Sequence, residues 1–510
     1  MSPSFSLDAG RVGLPALRAI ASAPCRIDFA RGDWERVDAS VAALGRRLAD
    51  DRPIYGVNTG FGKFSQTRID ATSLDALQLN LVLSHCTGSG PLLDERTVRL
   101  VLALKAIGLA RGHSAVRPEV VRALLALLAA GVHPCVPSKG SVGASGDLAP
   151  LAHLSAVLIG RGSAHVGGRV VPGAEALAAA GLQPLRLAPK EGLALLNGTQ
   201  VSTALALSGL FAAEDAFAAA IVAGMLTLDA CKGVSTPFDA RIHAARGHRG
   251  QSDVAAACRR LMAGSPIRAA HRDQHRVQDP YSLRCIPQVM GACLDLMRTA
   301  AATLEIEANA VSDNPIVFAE TGEILSGGNF HAEPVGFAAD MLALAIAEIG
   351  GMSERRIALL MDSNLSGLPA FLTEKPGLNS GFMVAQISAA ALASENKCLA
   401  HPGTVDSIPT AAGQEDHVSM ATYAARRLGE MAANSADIVA IELLAAAQGI
   451  DFLAPLATSP ALLPAHRGIR ARVAHLDDDR EFAPDIAAAA ALVRDGHFRG
   501  LVPELALGAP

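Results

Sequence analysis

The stretch Val335–Ile349, VGFAADMLALAIAEI, decides the fold class because it is apolar at almost every position. Its only charged residues are Asp340 and Glu348. A helix with apolar side chains on nearly every side has to be buried on nearly every side. The stretch therefore predicts a helix at the centre of a bundle rather than one on the protein surface.

Helical periodicity continues from this stretch to Met361 and recurs in other long segments after residue 200. These segments are Ser202–Met225, Gln288–Glu307, Met383–Lys397 and His417–Ala447. Strand patterns are few, and they form two hairpins, one over residues 165–170 and one joining Ile316–Phe318 to Glu323–Leu325. The predicted fold is mainly α, with a long central helix bundle, a smaller N-terminal region and minor β-hairpins.

Three regions follow from where the pattern changes along the chain. Short helical patterns with many Gly and Pro breaks predict an N-terminal region over residues 1–200. The long helices predict a bundle domain over residues 201–476, and residues 477–510 predict short helices and a tail. One chain would struggle to cover several helices that are apolar all round, so we expect burial between copies in a homo-oligomer.

Composition and charge exclude several classes of protein. The 510 residues carry a net charge of −5, and their basic side chains form no cluster for nucleic acid or an anionic membrane. No apolar run reaches the roughly 20 residues of a membrane helix, and the start shows no basic leader before an apolar core. The eight cysteines form no CxxC pair, which is typical of reduced thiols. We expect a soluble, cytoplasmic protein.

The loop Pro137–Asp147, PSKGSVGASGD, is the segment densest in Gly and Ser, and its composition alone is typical of a flexible turn. A nucleophile elbow would need Gly where Asp147 stands, and no phosphate-binding Gly-Lys-Ser/Thr is present. Attack of the Gly146 nitrogen on the Ala144 carbonyl would close a five-membered ring, since Gly allows the required bend. Loss of water from Ser145 and from the ring carbon would then leave an electrophilic methylidene, and Asp147 could assist proton transfer.

The stretch Gly140–Leu154, GSVGASGDLAPLAHL, resembles the signature of the aromatic amino-acid ammonia-lyases. The order of motifs resembles this family along nearly the whole chain. The resemblance implies that Ala144, Ser145 and Gly146 form 4-methylidene-imidazole-5-one (MIO), with no external cofactor. It also implies a homotetramer with shared active sites, and the non-oxidative removal of ammonia from an α-amino acid.

Elimination of ammonia needs a base for the β-proton and a cation for the carboxylate. The resemblance implies that Tyr55, which begins YGVNTGFG, is the base; a core tyrosine is the alternative. Arg284 lies in QDPYSLRC and can bind a carboxylate through two hydrogen bonds, the role that the resemblance gives it. An exposed or paired arginine is the alternative. Gln278 and Tyr281 resemble its neighbours at the family's active site.

Three further side chains are candidates for contacts with the electrophile and the substrate ring. The amide of Asn197 can donate to an oxyanion on the electrophile, although Asn is also a common helix N-cap. The resemblance places His85 at the ring-recognition position, whereas a lone His on an apolar segment is usually structural. Glu415, in Gln-Glu-Asp-His, can share a proton with a polar ring, and a cap or an ion pair is its alternative. This run resembles the histidine-specific members.

Two apolar residues complete the predicted site. Phe330 would form a wall beside the electrophile, and Met383 would pack either against the substrate or in the core. The sequence contains no HExxH motif and no Cys/His cluster, so we expect no metal.

The leading hypothesis is deamination of L-histidine to trans-urocanate, with the imidazole held by His85 and Glu415. A tyrosine or phenylalanine ammonia-lyase, or a 2,3-aminomutase of the same family, is an alternative because His85 could also bind a phenol. A fumarase–aspartase type lyase would not need Ser145 for a prosthetic group. A non-catalytic binding protein that kept the fold is the remaining alternative.

Overall fold

The computed structural model describes residues 3–50, 52–271 and 277–508, which are mainly helical, with nine short strands in four small sheets. The strands are β1 (Ser4–Leu7), β2 (Arg26–Phe29), β3 (Ser89–Leu92), β4 (His133–Pro134), β5 (Pro137–Lys139), β6 (Ser163–Val166), β7 (Arg169–Pro172), β8 (Ile316–Phe318) and β9 (Glu323–Leu325). The helices are α1 (Leu14–Ser22), α2 (Arg31–Ala49), α3 (Leu74–His85), α4 (Glu95–Ala110), α5 (Pro118–Ala130), α6 (Leu148–Leu158), α7 (Gly173–Ala179), α8 (Glu191–Leu196), α9 (Gln200–Ala230), α10 (Ala240–Arg246), α11 (Arg249–Met262), α12 (Pro266–Ala270), α13 (Tyr281–Arg284), α14 (Ile286–Ala308), α15 (Glu333–Met361), α16 (Ser363–Ser366), α17 (Met383–Leu399), α18 (Ala421–Asp451), α19 (Leu463–Arg470) and α20 (Ala483–Arg494).

The chain forms two compact units, each assembled from separate stretches of sequence. The first contains Met1–Ser208, Ala301–Asp340 and Pro402–Arg426. The second contains Gly209–Ala300, Met341–His401 and Arg427–Pro510. The three regions expected along the chain, 1–200, 201–476 and 477–510, stay a prediction because they follow chain order rather than contacts in space.

The mainly helical fold is confirmed, and the five predicted long helices are present as α9, α14, α15, α17 and α18. The expectation that no helix is long and apolar enough to cross a membrane was wrong for α9 and α15, which have 31 and 29 residues. In their most apolar windows, 89% and 67% of the residues are buried inside the protein. Both helices therefore have the burial of core helices.

Helix α18 begins at Ala421 rather than at the predicted His417. Met420 has a φ of +54°, which no helical residue adopts, and its N–H donates to the carbonyl of Val142 at 2.8 Å. The residues before α18 are therefore committed to holding the Gly/Ser-rich loop instead of extending the helix.

Both predicted hairpins are confirmed. Strands β6 and β7 pair antiparallel through Gly167 and Gly168, whose φ values of +54° and +78° suit a tight hairpin turn. Strands β8 and β9 pair with Ile316 opposite Leu325. The parallel pair β1–β2 was not predicted, since four residues are too few to establish a period.

Candidate active site

Two glycines attach the Gly/Ser-rich loop before α6 to the loop before α9. Gly146 and Gly198 form a parallel bridge, and the N–H of Asp147 donates to the Gly198 carbonyl at 2.7 Å. The φ of Gly146 is +72°, and a Cβ atom there would lie 2.2 Å from the Gly198 carbonyl oxygen. Any side chain at 146 would therefore displace the backbone that holds the loop.

The carboxylate of Asp147 is fully buried directly after the predicted electrophile. Its Oδ2 accepts from the N–H of Ser202 at 2.7 Å and from the Ser202 hydroxyl at 2.9 Å. Its Oδ1 accepts from the hydroxyls of Thr422 at 2.7 Å and Ser141 at 3.1 Å. Burial raises the pKa of Asp147, while these hydrogen bonds act in the opposite direction. These four hydrogen bonds hold the carboxylate in one position, on the residue that follows Gly146.

Ser145 lies between two of the predicted site residues. Its hydroxyl donates to Oε1 of Glu415 at 2.5 Å, and its carbonyl oxygen accepts from Nδ2 of Asn197 at 2.8 Å. The second carboxylate oxygen of Glu415 accepts from the hydroxyl of Thr410 at 2.6 Å. The structure thus brings Ser145, Asn197 and Glu415 together, and both polar ends of Ser145 have a partner.

This arrangement fits an MIO group made from residues 144–146. In that group the Ser145 carbonyl would become the carbonyl of the imidazolone, and its oxygen already accepts a hydrogen bond from Asn197. The Ser145 hydroxyl, which would have to leave as water, donates a hydrogen bond to the carboxylate of Glu415. The backbone at residue 146 has room only for glycine, and ring closure needs glycine at the same residue because its nitrogen has to attack Ala144. The N-cap alternative for Asn197 is not observed, because its side-chain oxygen, which a cap would need as acceptor, takes no hydrogen bond from the described residues.

A buried cation that the sequence analysis missed lies behind Asn197. Lys105 of α4 is 1% exposed, and its Nζ donates to the Asn197 carbonyl at 2.7 Å and to Oε1 of Gln200 at 3.2 Å. Burial lowers the pKa of Lys105 to about 7, although the nearby carboxylates of Asp313 and Asp147 act to raise it. Its signal in the sequence is a single charge inside the apolar run VLALKAIGLA.

Tyr55 and His85 belong to the same unit, and both make polar contacts with nearby residues of the chain. The hydroxyl of Tyr55 accepts from the N–H of Gly62 at 3.1 Å. Nδ1 of His85, the last residue of α3, lies 2.8 Å from the carbonyl of Leu81. Since a carbonyl only accepts, Nδ1 carries the proton and Nε2 of the neutral ring is left as an acceptor.

The second unit contains Gln278, Tyr281, Arg284 and Met383. The Arg284 guanidinium lies over the Tyr281 ring, 4.5 Å from its centroid, in a cation–π contact. Its Nε is buried, and no residue that the structure describes bonds to it. Tyr281 is 69% exposed and Met383 is 37% exposed, so Met383 is not simply a core residue. An unpaired guanidinium nitrogen suits an anionic group such as a carboxylate.

Phe330 is half-buried. The next residue, His331, belongs to a group of possible metal ligands in the first unit. Nitrogen and oxygen atoms of His331, Glu333 and His417 all lie within 4.8 Å of one another. Contiguous motifs could not reveal this group, because His417 is far from the other two in sequence.

Comparisons with known proteins agree with this geometry. Residues 12–471 match the family model described as aromatic amino acid lyase. The chain is 62% identical over 486 residues to a histidine ammonia-lyase of Paracidovorax citrulli, covering 95% of each chain.

Solved structures match over similar lengths. The crystal structure of histidine ammonia-lyase from Trypanosoma cruzi is 37% identical, with a TM-score of 0.90 over 98% of this chain and 95% of that one. The structure of tyrosine aminomutase from Streptomyces globisporus is 36% identical, with a TM-score of 0.93 over 99% and 98%. The fold is therefore shared by relatives that differ in reaction. The chain belongs to the aromatic amino acid lyase family.

Proposed function

We propose that this protein eliminates ammonia from L-histidine to give trans-urocanate, at an MIO electrophile formed from Ala144, Ser145 and Gly146. The observation that carries the proposal is the pair of contacts at Ser145, from its hydroxyl to Glu415 and from Asn197 to its carbonyl. The name of the Paracidovorax citrulli relative supports the choice of histidine. Family membership sets aside a fumarase–aspartase type lyase.

Formation of the electrophile removes two molecules of water from the chain. The nitrogen of Gly146 bonds to the carbonyl carbon of Ala144, whose oxygen leaves as water. The Ser145 hydroxyl leaves with the α-proton as the second water, which creates the exocyclic double bond. Asp147, the buried residue that follows the attacking nitrogen in sequence, moves protons during these steps.

The MIO group supplies the electrophile of the reaction, and the residues around it perform the binding and proton transfers. Asn197 donates to the ring oxygen and stabilises negative charge there. Tyr55 removes the β-proton of the substrate, and the Gly62 N–H at its oxygen stabilises the phenolate that accepts this proton. Phe330 walls the site.

Preference for an imidazole follows from two side chains. Nε2 of His85 is an acceptor, so the bound ring has to offer a hydrogen, which histidine and tyrosine can do and phenylalanine cannot. Dehydration of Ser145 removes the hydroxyl that occupies Oε1 of Glu415. The freed carboxylate oxygen can then accept a ring N–H or share its proton, which favours histidine over a phenol.

The remaining roles belong to residues of the second unit in a homotetramer with shared active sites. Arg284 binds the substrate carboxylate through its guanidinium, whose Nε has no partner among the described residues, and Tyr281 stacks on that guanidinium and orients it. Gln278 and Met383, both exposed, contact the substrate. We expect the assembly to be cytoplasmic.

Tyrosine is the second candidate substrate, because a tyrosine aminomutase shares the fold and His85 can accept from a phenol. Absorbance assays separate the two, since L-histidine would give urocanate and L-tyrosine would give coumarate. We expect urocanate from the wild-type protein and little coumarate. Coumarate as the main product would contradict the choice of substrate.

The variant Glu415→Gln tests the basis of this preference. We expect it to lower turnover of L-histidine by about 100-fold, because the amide cannot accept the ring proton. Glu320→Gln, at an exposed glutamate beside the β8–β9 turn, is the control and should keep wild-type turnover. Equal turnover by both variants would remove Glu415 from the site.

A further inference from the structure

The side chains of His331, Glu333 and His417 surround a single carboxylate oxygen in the first unit. Oε2 of Glu333 lies 3.8 Å from Nδ1 of His331 and 3.8 Å from Nε2 of His417. Glu333 and His331 are partly buried, with 26% and 29% of their side chains exposed, whereas His417 is 67% exposed. Three potential metal ligands thus lie together, one of them on an exposed side chain.

The carboxylate of Glu333 lacks the contacts that a buried oxygen needs. Oε2 is inaccessible to solvent, and within the described residues no hydrogen bond reaches it. A buried polar atom without a hydrogen bond destabilises the folded protein, and more so when it is charged. The distances to both histidines exceed those of a hydrogen bond, so the side chains present leave this oxygen unsatisfied.

His331 is already in the tautomer that a metal ion requires. Its Nε2 lies 3.2 Å from the backbone carbonyl of His417, and because a carbonyl only accepts, Nε2 carries the hydrogen. The lone pair of the neutral ring is therefore on Nδ1, the nitrogen that faces Glu333. Metal-binding histidines commonly donate their other N–H to a carbonyl or carboxylate in this way.

We propose that His331, Glu333 and His417 form a binding site for a divalent transition-metal ion of the zinc class. Two imidazoles and one carboxylate suit Zn²⁺ and leave a fourth position for water. Imidazole ligands disfavour Mg²⁺ and Ca²⁺, which take oxygen ligands.

Small side-chain movements are enough to complete the site. Ligand atoms around a tetrahedral zinc ion are roughly 3.3 Å apart, so each 3.8 Å distance has to shorten by about 0.5 Å. The two imidazole nitrogens lie within 4.8 Å of each other and have to approach by up to about 1.5 Å. The two imidazole rings are parallel, with centroids 5.7 Å apart, so one of them has to turn. The exposed side chain of His417 is free to do so.

The ion would join two segments that both hold the electrophile loop. Between the first two ligands, the N–H of Ala332 lies 3.5 Å from the carbonyl of Gly143. Two residues after His417, the hydroxyl of Ser419 donates to the same carbonyl at 3.0 Å. Binding of the ion should therefore stabilise the folded protein around this loop. The proposal does not rest on the proposed reaction.

The test is calorimetric titration of the metal-stripped, tag-free, full-length protein with Zn²⁺, followed by thermal melting with and without the ion. We expect one ion per chain and a higher melting temperature with Zn²⁺, as for any ligand that binds only the folded state. Glu333→Gln and His417→Ala should each weaken binding by about 100-fold or more. His248→Ala, at an exposed histidine of the second unit, should bind as the wild type does.

Cobalt identifies the ligands, since Co²⁺ bound by nitrogen and oxygen lacks the intense near-ultraviolet band of a cobalt–thiolate bond. A thiolate band, no binding by the wild type at micromolar Zn²⁺, or wild-type affinity in both ligand variants would overturn the proposal. If circular dichroism shows that Glu333→Gln does not fold, the exposed His417→Ala variant decides the outcome. The loss of urocanate formation is not a readout here, so failure of the proposed reaction leaves this test unaffected.

Discussion

Gly146 shows how one residue serves both the backbone and the proposed chemistry. Its φ of +72° and its contact with Gly198 leave no space for a Cβ atom, and its nitrogen is the proposed nucleophile of ring closure. The carboxylate of Asp147, the next residue, accepts hydrogen bonds at both of its oxygens, from Ser202 and from Thr422. The loop conformation from which the Gly146 nitrogen would attack Ala144 therefore depends on the absence of a side chain at residue 146.

We expect Gly146→Ala to block formation of the electrophile, because the new Cβ would lie 2.2 Å from the Gly198 carbonyl oxygen unless the loop moved. Turnover should fall by about 1,000-fold or more. Gly167→Ala is the matched control, since Gly167 also has a positive φ but an added Cβ meets nothing within 4 Å. The control should keep its activity at a cost of roughly 1–2 kcal/mol in stability. Wild-type activity in Gly146→Ala would contradict the account.

The sequence was sufficient to nominate single residues of the site but not their contacts. Ser145 and Glu415 are 270 positions apart, and no local pattern predicts that one hydroxyl joins them. Lys105 was missed because a lone lysine in an apolar helix usually extends its charge to solvent, whereas here it meets a backbone carbonyl. The His331–Glu333–His417 group was missed because its third member comes from another segment.

At the scale of elements, helix α4 places a lysine in the protein core, next to the backbone of Asn197. Fourteen of its sixteen residues are buried, and Lys105 is among them. Its burial lowers its pKa from 10.5 to about 7 in the folded protein, so the folded state releases a proton that the unfolded chain keeps. Between these two values the unfolded state binds more protons, and stability has to rise with pH.

We therefore expect the wild type to gain stability relative to Lys105→Met as the pH increases from 7 to 9. The gain is at most about 1.4 kcal/mol per pH unit, and below pH 7 the difference between the two proteins should be constant. Thermal or urea unfolding at several pH values measures it. Leu104→Met, at a buried residue of the same helix that carries no proton to exchange, should give a difference that does not change with pH. A constant difference for Lys105→Met as well would show that Lys105 has no lowered pKa.

Element types were predictable for the long helices because their periodicity extends over many turns. The residues at which these helices begin and end were harder to predict. The start of α18 depends on Met420, whose N–H bonds to Val142 of a distant loop, and this contact leaves no trace in the local sequence. The parallel β1–β2 pair is likewise too short to show a pattern.

At the scale of the whole molecule, the feature that favours an oligomer is apolar surface left exposed on the single chain. Within the single chain, 89% of the most apolar window of helix α9 is buried, against 67% for α15. The apolar surface that remains includes a row on α17, where Met383, Val384 and Ile387 are 37%, 61% and 57% exposed. Three large apolar side chains on one exposed helix face favour an interface between subunits.

We expect light scattering to give a mass about four times the 52.4 kDa of one chain. Ile387→Glu should reduce that mass, because a charge in an apolar interface loses its hydration without gaining a partner. Ile242→Glu, at another exposed isoleucine in the short helix α10, is the control and should leave the mass unchanged. A wild-type protein with the mass of a single chain would refute the homotetramer.

The electrophile itself is tested most directly by the mass of one tryptic peptide. Cleavage after Lys139 and Arg161 releases residues 140–161, which contain the whole proposed ring. In the wild-type protein this peptide should be about 36 Da lighter than its sequence, the mass of two waters. The same peptide from Ser145→Ala should lack this loss. A wild-type peptide at its full sequence mass would contradict the claim that Ala144, Ser145 and Gly146 form an electrophile.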